Sequence, residues 1–179
     1  MKAGNLETDN PRVHLIEPDV ARDAPLSVTW LAGDQGRRTL ALMGVTDKDN
    51  RPTTLAEELQ RVRGFVEDPH ELNWAIQLDD TVVGAIWVNL TPAYGVPEPS
   101  LHTMIGDPTA RGQGVGDAST RAVINYMRRR GDPVLYSRHL TRNTVVAGLL
   151  KKHGFVPMGE PYTDQGNLEW QNVQLDLHS

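Results

Sequence analysis

The sequence predicts a mixed α/β domain of the α+β kind: a mixed, mostly antiparallel central sheet with helices packed on it. Three observations point there. Two strand-like runs, "NWAIQL" and "TVVGAIWVNL", flank Asp79-Asp80 and read as an antiparallel hairpin. The second half of the chain alternates strand-like and helix-like segments, which requires helices laid on a sheet. Between a strand and a helix in that half sits "ARGQGVG", a run of glycines at the turn.

Taken in order, Arg12 to Glu17 alternates apolar and polar residues and reads as the first strand. The polar residues 1–11 ahead of it are expected to be a flexible N-terminus, and 12–179 a single domain. The stretch after the first strand yields no element by periodicity, and Met43 to Pro52 is a polar, turn-rich loop. From an N-cap at Thr53 or Thr54, Leu55, Leu59, Val62 and Val66 recur at helical spacing and stop before Pro69. After the hairpin, "PAYGVPEP" breaks the pattern and Ser100 to Gly106 resumes as a strand. Val115, Ala118, Ala122, Val123 and Tyr126 mark one face of a helix that Gly131 and Pro133 end. Arg128-Arg129-Arg130 at its last turn complements the helix dipole. "VLYSR" is a short strand, Arg142 to His153 a second amphipathic helix, and "GFVPMG" and "LEWQNVQLDL" are the closing strands.

Composition narrows the function. With 39% hydrophobic and 23% charged residues the chain suits a globular domain with a real core. A net charge of -5 argues against general nucleic-acid binding, which shows as a basic excess. The absence of cysteine excludes disulfides, thiolate metal sites and a cysteine nucleophile. No other spacing suits a metal, and no apolar run reaches membrane-spanning length, so a cytoplasmic protein is expected, with no nucleic-acid or membrane partner.

The glycine run needs a reason, because glycine beside a helix start costs conformational entropy. Neither dinucleotide nor Walker spacing fits: Asp117 and Ser119 fall where a third G-x-G-x-x-G glycine belongs, and no Gly-Lys-Ser/Thr follows. What remains is Arg111-x-x-Gly114-x-Gly116 ahead of a helix, where backbone N–H groups and the helix dipole can face an anion. Downstream, "NTVVAGLLKKHGF" starts a helix at Asn143 and ends it at Gly154-Phe155. Each half has a purely structural explanation; their order and separation are harder to explain that way.

With these two segments the chain resembles the GNAT superfamily of acyl-CoA-dependent N-acetyltransferases. The resemblance runs from about Arg12 to the C-terminus, and its specific part lies between Ser100 and Phe155. It implies a sheet of about seven strands flanked by about four helices, with splayed strands at the acyl-CoA site. It assigns the pyrophosphate of acetyl-CoA to Arg111, Gly112, Gln113, Gly114, Val115 and Gly116. Pairing with the pantetheine arm falls to Met104, Ile105 and Gly106, and Asn143 approaches that arm from the second helix. It also implies direct attack of a neutral amine on the thioester, a strand N–H near Ile105 as oxyanion donor, and no metal.

The chain departs from the family in one respect. Many members carry a tyrosine seven residues after the asparagine as the general acid, and here that residue is Leu150. Leu150 and the "IGDP" before the loop resemble the branch that acetylates ribosomal-protein N-termini, but that branch's serine is replaced by Val146. The candidate catalytic groups are His102 on the strand before the loop, Glu98 at its entry, and Tyr94 as donor or pocket wall. As a lone histidine on a strand, His102 has a structural reading beside the catalytic one, and Glu98 reads equally as a solvated carboxylate. His139 is a weaker candidate, and His153 belongs to the helix C-terminus. The resemblance implies an acceptor site built largely from Ser27 to Pro52 and Thr91 to Pro99, and some of Trp30, Trp74, Trp87 and Tyr94 are expected to shape its pocket.

Three functions compete at this level. The first is acetyl transfer to a primary amine of a small molecule, a metabolite or an antibiotic. The second is the same transfer to a protein or peptide N-terminus. The third is a non-catalytic acyl-CoA-binding sensor, suggested by the missing tyrosine. A homodimer is common in the superfamily, and nothing in the string decides it.

Overall fold

The computed structural model describes residues 4–178. Its strands are β1 (Leu6–Glu7), β2 (Val13–Ile16), β3 (Glu71–Leu78), β4 (Thr81–Asn89), β5 (Ser100–Ile105), β6 (Val134–Leu140), β7 (Val156–Pro157), β8 (Tyr162–Thr163) and β9 (Glu169–Asp176). They form one sheet in the order β1-β2-β3-β4-β5-β6-β9-β7, with β8 also on β9. Every pairing is antiparallel except β5 with β6. The helices are α1 (Val20–Trp30), α2 (Gly33–Leu42), α3 (Leu55–Glu67), α4 (Val115–Arg130) and α5 (Thr144–Lys152).

The hairpin turns at Asp79, whose φ of 52° is the left-handed conformation a tight turn uses, and its carboxylate pairs with Arg12 at 2.8 Å. Thr54, the second of the two threonines considered, caps α3 in a reciprocal capping box with Glu57. Within the expected flexible lead 1–11, Leu6–Glu7 pairs with Leu15 and His14 as an edge strand, and the Trp74 indole N–H donates to the Gly4 carbonyl at 2.8 Å.

Apolar residues alternate along the strands, so both faces of the sheet are covered. One face carries the main core: Ile76, Ile86 and Leu101 of the sheet meet Val123 and Met127 of α4 and Leu150 of α5, all buried. The other face carries a smaller cluster of Trp30, Leu31, Ala75, Val82 and Met104. A hydrogen bond joins α1 to α3 above that second face. The Arg61 guanidinium donates to Ser27 at 2.9 Å and to the buried Glu58 carboxylate, which also accepts from Thr53.

Neither α1 nor α2 is visible in the periodicity, for identifiable reasons. Pro25 stands inside α1, where it removes a helical N–H. Gly36 stands inside α2, where an added Cβ would lie 2.1 Å from the Leu31 backbone. The glycine is what lets α2 pack on the end of α1.

Candidate active site

β5 and β6 pair at a single position, Ser100 with Tyr136, and then diverge. The pairing is fixed by Tyr136 N–H donating to the Pro99 carbonyl at 2.8 Å and Ser137 Oγ donating to the Leu101 carbonyl at 2.8 Å. At the far end Gly106 N–H donates toward β4, to the Val83 carbonyl at 2.9 Å. Backbone polar groups alternate direction along a strand. The Thr103 and Ile105 backbones therefore face the gap, and those of His102, Met104 and Gly106 face β4. Of the three residues expected to pair with a pantetheine arm, only Ile105 offers its backbone there, and Thr103 joins it. The Ile105 carbonyl already accepts from Arg111 at 2.9 and 3.2 Å, leaving the N–H groups of Thr103 and Ile105 and the Thr103 carbonyl toward the gap.

Met104 instead buries its side chain in the second cluster. Gly106 answers to packing: a Cβ there would lie 2.4 Å from the Trp30 ring. Asp107 caps the short 3₁₀ turn Pro108–Ala110, accepting from Thr109 N–H at 2.8 Å. "IGDP" thus has a local explanation independent of any acceptor.

The glycine run follows that turn. Gly112 and Gly114 have φ of 76° and 77°, values L side chains rarely adopt, and an added Cβ at either meets nothing within 4 Å. Gly114 is the N-cap of α4 and offers no side chain to satisfy it. The N–H groups of the first helical turn, from Val115 on, lack partners within the helix, as at every helix start. Val115 itself is buried in the main core, while a Cβ added at Gly116 would lie 3.5 Å from Leu149. Arg111 and Gln113 are exposed, and each is hydrogen-bonded within the molecule. Arg111 bridges the Ile105 carbonyl to Thr39 of α2 at 2.8 Å, and Gln113 donates to the Thr109 carbonyl at 2.8 Å. Asn143 caps α5, accepting from Val146 N–H at 3.3 Å, and its amide donates to the Leu42 carbonyl of α2 at 3.3 Å.

Three rings stack at the mouth of the gap. His102 lies 5.5 Å from Trp87 across the β4–β5 ladder, near parallel, and 5.7 Å edge-on from Tyr94. His102 Nε2 is 3.1 Å from Ser100 Oγ. Burial, and then the positive charge of Arg138, lower the His102 pKa to about 4, so the imidazole is neutral at physiological pH. Tyr94 reaches this position from a left-handed backbone, φ 55°, inside a loop closed by the Ala93–Val96 bridge.

Glu98 is exposed and makes no hydrogen bond or ion pair among the described residues. His139 turns its Nδ1 to the Leu140 carbonyl at 2.9 Å, and His153 lies 2.9 Å from Asp117, away from the gap. Trp30 and Trp74 go into the core; Trp87 and Tyr94 are the aromatics that reach the site. Leu150 is core as well and has no ionisable proton to give. Sequence reading passed over Arg138, the one cation beside His102. An arginine inside an otherwise apolar strand, "VLYSRHL", was the signal available.

The site thus brings together splayed strands, a glycine loop at a helix start and a neutral imidazole. The acetyltransferase (GNAT) domain model matches residues 12–156, and the chain belongs to the GNAT acetyltransferase family. Solved structures share the fold at low identity. The microcin C7 self-immunity acetyltransferase MccE, in complex with acetyl-CoA and AMP, is 11% identical over 93% of both chains, with a TM-score of 0.74. The ribosomal L7/L12 alpha-N-protein acetyltransferase RimL, in complex with coenzyme A, is 16% identical over 96% of this chain and 97% of that one, also at 0.74. A spermidine N-acetyltransferase from Vibrio cholerae, in complex with CoA and spermine, is 13% identical over 94% and 98%, at 0.73. No curated protein matches this sequence. No helix among the described residues is long and apolar enough to cross a membrane, and no cluster of metal-ligating side chains occurs among them.

Proposed function

We propose that the protein transfers the acetyl group of acetyl-CoA to a primary amine of a small molecule. The observation that carries this is the gap between β5 and β6, which opens at His102 and runs toward the glycine loop. In this reading the pyrophosphate lies against the backbone of 112–116, where the left-handed glycines keep the space clear. The pantetheine arm follows Thr103 and Ile105, and their N–H groups supply hydrogen bonds to the arm and to the developing oxyanion.

The amine nitrogen attacks the thioester carbon, the carbon–sulfur bond breaks, and the nitrogen loses one proton while the thiolate gains one. His102 accepts the nitrogen's proton, directly or through a water. Its lowered pKa makes it a poor base for a free ammonium but a sufficient one after attack, when the nitrogen is far more acidic. Tyr94 walls the acceptor pocket, and its exposed hydroxyl is the side-chain donor available to the thiolate.

The test offers acetyl-CoA with a mixture of small primary amines and unstructured peptides, and mass spectrometry reads which become acetylated. Acetylated small amines, with transfer much reduced in His102→Gln, are expected. Acetylated peptides alone would replace the acceptor class. Tight acetyl-CoA binding with no acetylated product would make the protein a sensor.

A further inference from the structure

Arg138 is unusual in its surroundings. It lies two residues beyond the last β5–β6 pairing, opposite Asn172 of β9, so its side chain stands where the strands part. Its guanidinium carbon sits 3.7 Å from the centre of the Trp170 ring and 5.4 Å from that of Tyr94. Such stacking holds the group in place through its face and leaves most of its N–H donors open, a guanidinium having five of them. Its sole hydrogen bond among the described residues is a long one, 3.5 Å from Nη1 to the Tyr162 hydroxyl, which itself donates to Asn172 Oδ1 at 3.2 Å. No carboxylate lies within ion-pair distance of Arg138 among the described residues. The nearby Asp164 is committed elsewhere, accepting from the Gly166 and Leu168 N–H groups and from the Trp170 indole at 2.8 to 3.0 Å.

The surrounding structure holds this arrangement in place. Trp170 is buried and Gly44 packs against it, since a Cβ at 44 would lie 2.3 Å from the ring. The Asn172 amide donates to the Gly95 carbonyl at 3.1 Å, which fixes the loop that carries Tyr94. A half-buried cation on two rings, with open donors and no carboxylate bonded to it, its neighbour Asp164 feeling its charge from a distance, in a chain of net charge -5, fits an anion supplied by a ligand that accepts two parallel N–H bonds.

We propose that Arg138 is a specificity residue that binds a carboxylate or phosphonate on the acceptor, so that the substrates are amines carrying an anionic group a short distance from the reacting nitrogen. The inference rests on the transferase reading for the place of the acceptor. Tyr94 touches both Arg138 and His102, so an anion on Arg138 sets the amine beside the imidazole. An extended polyamine, by contrast, would bring its positive charges against the guanidinium.

The test uses twenty N-acetyl amino acids, their methyl esters, and N-acetyl aminoalkylphosphonates as product-side ligands of the acetyl-free CoA complex. Binding is followed by calorimetry, so no turnover is needed. Several free acids or phosphonates should bind roughly tenfold or more tighter than their neutral esters. That preference should vanish in Arg138→Gln and persist in part in Arg138→Lys, with CoA affinity unchanged in both. Equal binding of acids and esters throughout the panel overturns the proposal, and so does tighter binding of spermine than of any acid. If CoA itself fails to bind, the transferase reading fails, and acid-over-ester selectivity measured without CoA decides the Arg138 site separately.

Discussion

His102 is the residue to which the proposed mechanism gives the proton transfer, and its environment makes a prediction apart from catalysis. Its folded pKa of about 4 lies below the ordinary value of 6.5. Between those values the unfolded chain binds a proton that the folded chain refuses, so stability falls as the pH drops from 6.5 toward 4. His153, lowered chiefly by burial, acts in the same direction. The share due to His102 is the difference between wild type and His102→Gln. Denaturant unfolding at neutral and acid pH should give the variant a shallower loss, and equal slopes would show the imidazole to be solvated. Tyr94 makes a second case. Its left-handed backbone is strained for a tyrosine, so Tyr94→Gly should leave the melting temperature unchanged or raised while weakening the acceptor's KM. Tyr94→Phe separates wall from donor: a loss confined to kcat marks the hydroxyl as the proton source.

Among the elements, the loop between β5 and α4 and the cap of α5 carry the cofactor in the proposed reading. Gly114→Ala forces an L side chain into φ 77° and should cost about 1–2 kcal/mol by denaturant titration, with little change if the loop can relax. Asn143→Ala removes the α5 cap and the bond to the Leu42 carbonyl, at a cost of about 1 kcal/mol. Gly106→Ala drives a methyl into Trp30 and should lose roughly 1–3 kcal/mol, a packing effect with no bearing on phosphate. These elements were legible because their signals are local: alternation for β2 to β5, the Thr54 and Asn143 caps, the glycines before α4. α1 and α2 were not, because Pro25 and Gly36 serve contacts between helices that no local pattern records. The glycine motif was legible in place and only partly in role. Arg111 fits the spacing, yet it ties the loop to Ile105 and Thr39, a contact decided by α2.

At the scale of the whole molecule, the sheet divides the labour. One face is closed by α4 and α5 over a continuous core, and the other carries α1 to α3 and opens at the β5–β6 gap. The aromatic residues of the N-terminal half follow that division, which is why Trp74 is core and Trp87 reaches the site. The β5 strand, the glycine loop and the starts of α4 and α5 could be picked out of the string because each is a local pattern and they follow one another in chain order. The grouping of Tyr94, which the sequence singled out, with Arg138, Trp170 and Tyr162, which it did not, could not be read, because they come from separate elements and only the sheet order makes them neighbours. The most direct test of the whole scheme is thiol release from acetyl-CoA by wild type and Gly114→Glu, with the same amine mixture. One thiol released per amine acetylated, with loss of both release and acetyl-CoA stabilisation in the variant, is expected; that stabilisation amounts to about 2.7 kcal/mol at a hundredfold excess over Kd. Wild-type protein that neither binds acetyl-CoA nor releases thiol, or a variant carrying a carboxylate at 114 that does both unchanged, would contradict it.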